Sequence, residues 1–409
     1  MRKEPIVFHV ADIHYRDADY DEIKKCVDFL VKKVQNVNPD LIIISGDIFD
    51  RQDIKIDSKS ARAVISQLKQ MSLTAPIAII IGTPSHDGTS AKIMRHIHAK
   101  HTIWVSDKPE QLYLYGHKLT SICKANAIPD ITISQLPTPT KKIIDISDGI
   151  AASNEKLIKT IDLQMNKFKT KANVANAKWH ILNGHFSIAG AKISPTQLLI
   201  GNDIEISHEQ LISSGADIIM LGHIHYHQKI YGNIFYSGSI YRKTFGELDN
   251  KGFYMHKFTK TGIVSTFYKT PARMLLKYDF NFTRKNSKLE PTEFNQEILS
   301  TVDKNIKNAW IKITIEVYQD EARAIDILEI HDILTYDRKA NKATINIIRK
   351  PRINIRAEKI LKLTMFEDKI RELANMRDEE IQSGVIKKAR MLESFTEDKI
   401  LEHVLKEFN

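Results

Sequence analysis

The chain has 409 residues, 42% of them hydrophobic and 27% charged, with a formal net charge of +10. That length suits two or three domains rather than one core. No apolar run approaches the ~18 residues of a membrane span, two cysteines (Cys26 and Cys123) build no disulfide framework, and the basic excess favours a polyanionic partner.

The first apolar run, Ile6–Val10, is too short for a signal peptide and reads as a first strand, and the two cysteines fit a reducing, cytoplasmic setting. A helix follows over Tyr20–Val37. Its apolar positions Ile23, Val27, Leu30, Val31 and Val34 share one face, Cys26 lies on the same side, and Asn38-Pro39-Asp40 ends it. Leu41–Ser45 is the second buried strand, Lys59–Met71 the second helix and Ile77–Ile81 the third strand. Further strands are expected at Ile181–Asn183 and Ile218–Leu221. Alternating strands and helices predict an α/β domain over residues 1–272. Strand-like runs at Leu275–Phe280, Trp310–Val317 and Ala343–Ile348, with helices at Glu293–Ile306 and Asp320–Ile330, predict a small α+β domain over 273–352. Residues 353–409 read as a helical segment. Ile360, Leu361, Met365, Ile370, Leu373 and Met376 form one apolar seam in it, and Val404 and Leu405 belong to another. So small a segment cannot bury both seams itself, which points either to a partner or to packing on the main body.

Five polar motifs stand at the C-terminal ends of the predicted strands: Asp12-Ile13-His14, Gly46-Asp47-Ile48-Phe49-Asp50, Ser85-His86-Asp87, Gly184-His185 and Gly222-His223-Ile224-His225. Ligands of open α/β sheets sit outside those strand ends, so motifs far apart in sequence can converge there. Glycines at 46, 184 and 222 permit tight turns. A mixed set of carboxylates and imidazoles suits manganese, iron or zinc better than a magnesium or calcium cage. Asp12, His14, Asp47, His185, His223 and His225 exceed the needs of one tetrahedral ion. Two ions are therefore expected, with a carboxylate such as Asp47 between them, a pairing that binds phosphate and activates water for in-line displacement.

This order of motifs resembles the calcineurin-like metallophosphoesterases. Ser45-Gly46-Asp47-Ile48-Phe49-Asp50, Leu221-Gly222-His223-Ile224-His225, Tyr236-Ser237-Gly238-Ser239 and Phe245-Gly246-Glu247 are similar to segments of the SbcD-type nucleases. The resemblance implies a two-sheet sandwich flanked by helices, a small α+β capping domain and a C-terminal helical segment. It implies that Asp12, His14, Asp47 and His225 hold a first ion and Asp47, His185 and His223 a second. His86 would assist the leaving group or stabilise the transition state, with Asp87 orienting it. The chain departs from the family at Gly82-Thr83-Pro84-Ser85-His86-Asp87, where the family has an Asn directly before the His. Ser85 takes that place as a weaker metal ligand.

The implied activity is that of a manganese-dependent DNA exonuclease, with endonuclease activity as a further expectation and magnesium, iron or zinc as other ions. The setting would be DNA repair, recombination or replication. The implied assembly is a homodimer whose C-terminal helices, through the Ile360–Met376 seam, grip the coiled coil of an SbcC-type ABC ATPase. Lysines from Lys156 and Lys159 to Lys178, and a cluster from Arg338 through Arg349, Lys350 and Arg352 to Arg356, are candidate DNA contacts, each against a solvated face as the plainer reading. His96, His98 and His101 read as surface residues, and His227 as exposed or touching substrate. Two other readings keep the same motifs: a metallophosphoesterase acting on a non-DNA phosphoester, and a weakly active DNA-binding assembly subunit.

Overall fold

Runs of Ile and Val with no polar face must be covered on both sides, and the computed structural model covers them. It describes residues 4–139, 150–194, 197, 205–283, 289–351, 358–377 and 379–407. In chain order the first elements are β1 (Ile6–Val10), α1 (Tyr20–Val37), β2 (Leu41–Ile44), α2 (Lys59–Ser72), β3 (Ile77–Ile80), β4 (Ile103–Ser106), β5 (Glu110–Tyr115), β6 (Lys118–Thr120), β7 (Ile131–Leu136) and α3 (Ile150–Ala175). Then come β8 (Trp179–His185), β9 (Ser187–Ile188), β10 (Glu205–Ile206), α4 (His208–Ser213), β11 (Ile218–Gly222), β12 (Gln228–Ile230), β13 (Ile234–Tyr236), β14 (Gly252–Thr259) and β15 (Gly262–Lys269).

Two sheets result, one in the order β15-β14-β1-β2-β3-β4 and one in the order β12-β13-β11-β8-β7-β5-β6. Strands β1 to β4 run parallel, as do β7, β8, β11 and β13. The pleat assigns side chains to layers. Phe8, Val10, Ile42, Ile44, Ile77 and Ile79 face α1 and α2, meeting Val27, Leu30, Val64 and Leu68. Their alternates Val7, Leu41, Ile43 and Ala78 meet Leu112, Ile133, Ile181 and Met220 between the sheets. Leu182, Ile219 and Leu221 turn outward onto Met165 and Phe168 of α3 and Leu211 of α4. Each such large side chain contributes about 1.5–3 kcal/mol by burial. The architecture is the expected helix–sheet–sheet–helix sandwich.

Local chemistry sets the helix ends. Asn38 takes a left-handed φ of 54° and donates its N–H to Val34 O at 2.9 Å, closing α1. The Ser58 hydroxyl accepts from Ala61 N at 3.1 Å and opens α2.

Three more strands, β16 (Leu275–Asn281), β17 (Trp310–Tyr318) and β18 (Lys342–Lys350), form a third sheet in that order. The helix expected over Glu293–Ile306 is α5 (Phe294–Thr301), shorter because Arg338 takes the carbonyls of Leu299 and Val302 at 2.6 and 2.7 Å. The helix expected over Asp320–Ile330 is broken. A 3₁₀ turn at Ala322–Ala324 precedes α6 (Ile327–Asp332), which Asp326 starts afresh by accepting from Glu329 N at 3.0 Å. The C-terminal region is helical, with α7 (Glu358–Lys362), α8 (Phe366–Arg377), α9 (Ser383–Ser394) and α10 (Glu397–Glu407).

The chain divides into two compact units, residues 1–280, 295–314 and 326–346 in one and 281–294, 315–325 and 347–409 in the other. In the second, Glu367 of α8 pairs with Arg390 of α9 at 2.9 Å and with Arg371 of its own helix at 2.8 Å, and alanines 374 and 389 are buried. No helix among the described residues is long and apolar enough to cross a membrane.

Candidate metal centre

The parallel strands of both sheets end on one edge, and their ends supply the ligands. Asp12 and His14 follow β1, Asp47 follows β2, and His86 lies beyond β3. His185 is the last residue of β8, with Gly222 of β11 as its register partner, and His223 and His225 come just after. Leaving a strand so abruptly bends the backbone. Asp12, His14, Asp47 and His223 all have left-handed φ values of 51°, 47°, 52° and 92°. Non-glycine residues rarely hold that conformation, and such strain concentrates at functional sites. Gly46 has φ 83°, and a Cβ on it would lie 2.6 Å from His185 Nδ1, so only glycine admits the ring there.

Asp47 is central. Its Oδ2 lies 3.3 Å from His185 Nε2, 3.7 Å from His14 Nε2 and 3.9 Å from His86 Nε2. Asp12 receives the His223 N–H on both oxygens, at 3.0 and 3.1 Å. The Nε2 atoms of His14 and His225 stand 3.0 Å apart. Burial first, with Lys243 adding to it, holds both rings well below the usual histidine range, so they are neutral donors. Two neutral imidazoles turned nitrogen to nitrogen suit a shared cation. Asp12, His14 and His225 form one ligand group, and Asp12, Asp47 and His185 another. Burial opposes charging of His185, yet Asp47, Asp12 and the Ser45 carbonyl outweigh it and raise the ring to about 9. Burial and the neighbouring Asp47 carboxylate push Asp12 up to about 6. The second group thus has a negative potential that a cation offsets, and the donor set fits divalent metal ions.

Supporting residues orient these ligands. His185 Nδ1 lies 2.6 Å from Ser45 O, which turns Nε2 to the centre. Behind it the Ser45 hydroxyl donates to Asn183 Oδ1 at 2.6 Å and Asn183 Nδ2 to Gln135 Oε1 at 2.6 Å, all fully buried. Asp50 Oδ1 stands 3.6 Å from His14 Nδ1 and 2.8 Å from Lys243 Nζ. Gln197 accepts from His225 N at 2.9 Å and donates to His223 O at 2.6 Å. Lys251, buried, donates to His225 O at 3.1 Å. Asp50 is visible in its motif. Gln197, Lys243 and Lys251 carry no sequence signal of their own.

The loop of His86 differs from its sequence reading. His86 Nδ1 lies 2.7 Å from Asp50 O, so that carbonyl orients the ring. The Asp87 carboxylate accepts from the amides of Ile48 (2.8 Å), Phe49 (3.1 Å) and Gly82 (2.8 Å), and so acts on His86 through the loops it fastens. Ser85 is exposed, and the hydroxyl standing against Asp47 and His185 is that of Thr83.

Other expected residues lie elsewhere. Lys156 and Lys159 are exposed on α3, and Arg349 and Lys350 on β18; Arg352 and Arg356 lie outside the described residues. Of the seam, Leu361, Met365, Leu373 and Met376 are exposed, while Ile360 and Ile370 are half-buried. His101 packs beside His117, and His227 is half-buried and stacked on Phe267 at 4.1 Å.

The calcineurin-like phosphoesterase model matches residues 6–227, which contain every ligand named above. Among curated proteins, the chain is 28% identical over 229 residues to the SbcD subunit of the nuclease SbcCD from Staphylococcus epidermidis, covering 54% of this chain and 56% of that protein. The chain therefore spans about half the length of this relative. Among solved structures, the calcineurin-like phosphoesterase YfkN of Bacillus subtilis aligns at a TM-score of 0.35 and 12% identity, over 65% of this chain and 90% of that one. Because that family model takes in more than half of the sequence and the whole ligand set, the chain belongs to the calcineurin-like phosphoesterase family.

Proposed function

We propose that the chain is a manganese-dependent DNA nuclease, an exonuclease with added endonuclease activity, and the catalytic subunit of a break-processing complex with an SbcC-type coiled-coil ATPase. The observation that carries this reading is the pair of ligand groups Asp12–His14–His225 and Asp12–Asp47–His185, set in a chain similar to a nuclease subunit. The net charge of +10 suits a polyanionic substrate. Exposed Lys156, Lys159, Arg349 and Lys350 are proposed to contact phosphates. In this reading residues 1–272 form the nuclease domain, 273–352 a capping domain and 353–409 the ATPase-binding segment, two copies form a dimer, and the protein works in the cytoplasm.

Two bound divalent ions would supply charge for the phosphate and for an attacking water. The chain's residues do the rest. Asp12, His14 and His225 hold one side, and Asp47 and His185 the other, with His223 beside Asp12. His86 keeps Nδ1 on the Asp50 carbonyl and turns Nε2 inward. At 30% side-chain exposure that nitrogen can reach substrate and pass a proton to the leaving oxygen. Leu361, Met365, Phe366, Leu373 and Met376 leave an apolar surface on α7, α8 and the turn between them that suits a partner helix.

The test is cleavage of linear duplex DNA, hairpin DNA and p-nitrophenyl phosphodiesters by the full chain with manganese. Loss of DNA cleavage in both Asp47→Ala and His86→Ala supports the reading. Metal binding with hydrolysis of the small esters alone would reassign the substrate. Leu361→Asp with Met365→Asp should abolish co-purification with the ATPase and leave metal binding intact; a complex that survives rejects the seam as its interface.

A further inference from the structure

We propose that the Thr83 hydroxyl, not that of Ser85, is the neutral ligand that completes the Asp47–His185 cation subsite. The assignment rests on the two-ion reading of the centre. Three donor atoms there form a nearly equilateral triangle. Thr83 Oγ1 lies 3.3 Å from Asp47 Oδ2 and 3.2 Å from His185 Nε2, and those two lie 3.3 Å from each other. Atoms that share one divalent cation at about 2.0–2.2 Å stand about 3.0 Å apart in an octahedron and about 3.4 Å apart in a tetrahedron. The observed triangle falls between those two edges. With its Nδ1 proton on the Ser45 carbonyl, neutral His185 offers a lone pair at Nε2, and the Thr83 hydroxyl and the Asp47 carboxylate offer theirs, so one cation can take all three.

The loop explains why this residue stands there. Thr83 N donates to Asp47 Oδ1 at 2.6 Å, which ties its backbone to the central carboxylate. Its carbonyl accepts from His86 N at 2.9 Å, closing a turn with Pro84 and Ser85 at the corners. Proline suits the first corner of such a turn. Both corner residues are exposed, so Ser85 is carried out to solvent and Thr83 is held in. Counting back one place from His86 selects Ser85. Counting forward one place from Gly82, whose amide the Asp87 carboxylate holds, selects Thr83. A hydroxyl is a weaker neutral donor than an amide oxygen, so this subsite should hold its ion less tightly than the Asp12–His14–His225 subsite.

The experiment is calorimetric titration of the metal-free full chain with manganese, with electron paramagnetic resonance to detect spin-coupled pairs. Wild type should bind two ions in two steps. Thr83→Val removes the hydroxyl at nearly constant shape. It should keep the tighter step, which also reports that the variant is folded, and weaken the second by about 10–100-fold with loss of the coupled signal. Thr83→Ser should restore the second step, and Ser85→Ala should titrate as wild type. Unchanged binding in Thr83→Val, or a loss of the second step in Ser85→Ala, overturns the assignment. A wild-type chain that binds fewer than two ions overturns the two-ion reading itself, and that failure is visible before any variant is made.

Discussion

Replacing Lys251 by Met should damage both the fold and the centre, because this lysine links the two. Its Nζ is fully buried, 2.8 Å from Glu247 Oε2, 3.1 Å from Asp249 Oδ2 and 3.1 Å from His225 O. Glu247 and Asp249 are themselves only 2% and 6% exposed at their side chains. Methionine matches the stem but leaves two buried carboxylates without their counter-ion. Breaking a buried pair from one side costs about 3–5 kcal/mol, a large part of a domain's ~5–15 kcal/mol. The second effect is on His225, which loses the donor to its carbonyl, and such supporting contacts are worth about 10–100-fold in metal affinity. Urea unfolding of the metal-free chain reads the first effect and manganese titration the second. Adding Glu247→Gln to Lys251→Met removes one of the stranded charges, so the double variant should be more stable than the sum of the single losses predicts. A loss below about 1 kcal/mol with manganese affinity unchanged would refute the linkage.

Gly82→Ala should be tolerated poorly, since its Cβ would stand 2.2 Å from Asp47 Oδ1 and 2.3 Å from Asp47 N. We expect about 1–3 kcal/mol of destabilisation and weakened manganese binding by titration; a variant that binds like wild type would mean the loop yields without moving Asp47. Acid should weaken the space between the sheets, where the His9 and His256 rings stack at 5.9 Å. Burial lowers His9 to about 3 and His256 well below the usual range, with His9 also opposing the charge on His256. The unfolded chain takes up these protons first, so this contribution is full above about pH 6.5 and is lost as pH falls from there towards 3, at roughly 1.4 kcal/mol per pH unit for each ring. Melting temperatures of metal-free wild type and His9→Leu should therefore converge or cross on acidification; parallel curves from pH 7 to 4 would show that His9 does not titrate on unfolding.

What was legible in the sequence followed from uniform physics. Strands β1, β2 and β3 are buried on both faces, so composition alone marks them, and α1 has an unbroken apolar face ended by Asn38-Pro39. Strands β14 and β15 escape a sequence reading because their patterning is set by tertiary neighbours. β15 alternates half-buried and exposed positions, with Lys269 among the exposed, and β14 places His256 inside and Lys257 outside. The short strands β5 and β6 pair around Gly116-His117 and owe their place to β7 rather than to any run of their own. The site divides similarly. Asp12, His14, Asp47, His185, His223 and His225 stand out by type and by position after strands. Thr83, Gln197 and Lys251 are ordinary residues whose roles come from where a turn or a buried charge places them. Reading the His86 loop by distance from the histidine alone puts the neutral ligand at a turn corner, which faces water.

The left-handed φ values at Asp12, His14, Asp47 and His223 join these observations. Holding each such residue costs of order 1–3 kcal/mol, and the buried carboxylates add their mutual repulsion. Part of the cost is offset locally, since Ile13, Ile48, Phe49 and Ile224 in these turns are buried in the apolar clusters on either side. The rest is met by the sandwich beneath, whose parallel strands stop in register and present their loops to one edge. An ion that binds the folded ligand set and not the unfolded chain adds its own stabilisation by mass action. The fold can therefore carry a strained, self-repelling arrangement because the strain is confined to loops over a rigid double sheet. The same confinement keeps the donors at cation spacing before any ion arrives, so binding needs little rearrangement. Asp87, Gln197 and Lys251 belong to this logic. Each commits a side-chain polar group to a loop backbone, Asp87 and Lys251 from full burial and Gln197 from partial burial, holding it in the conformation the ligands require.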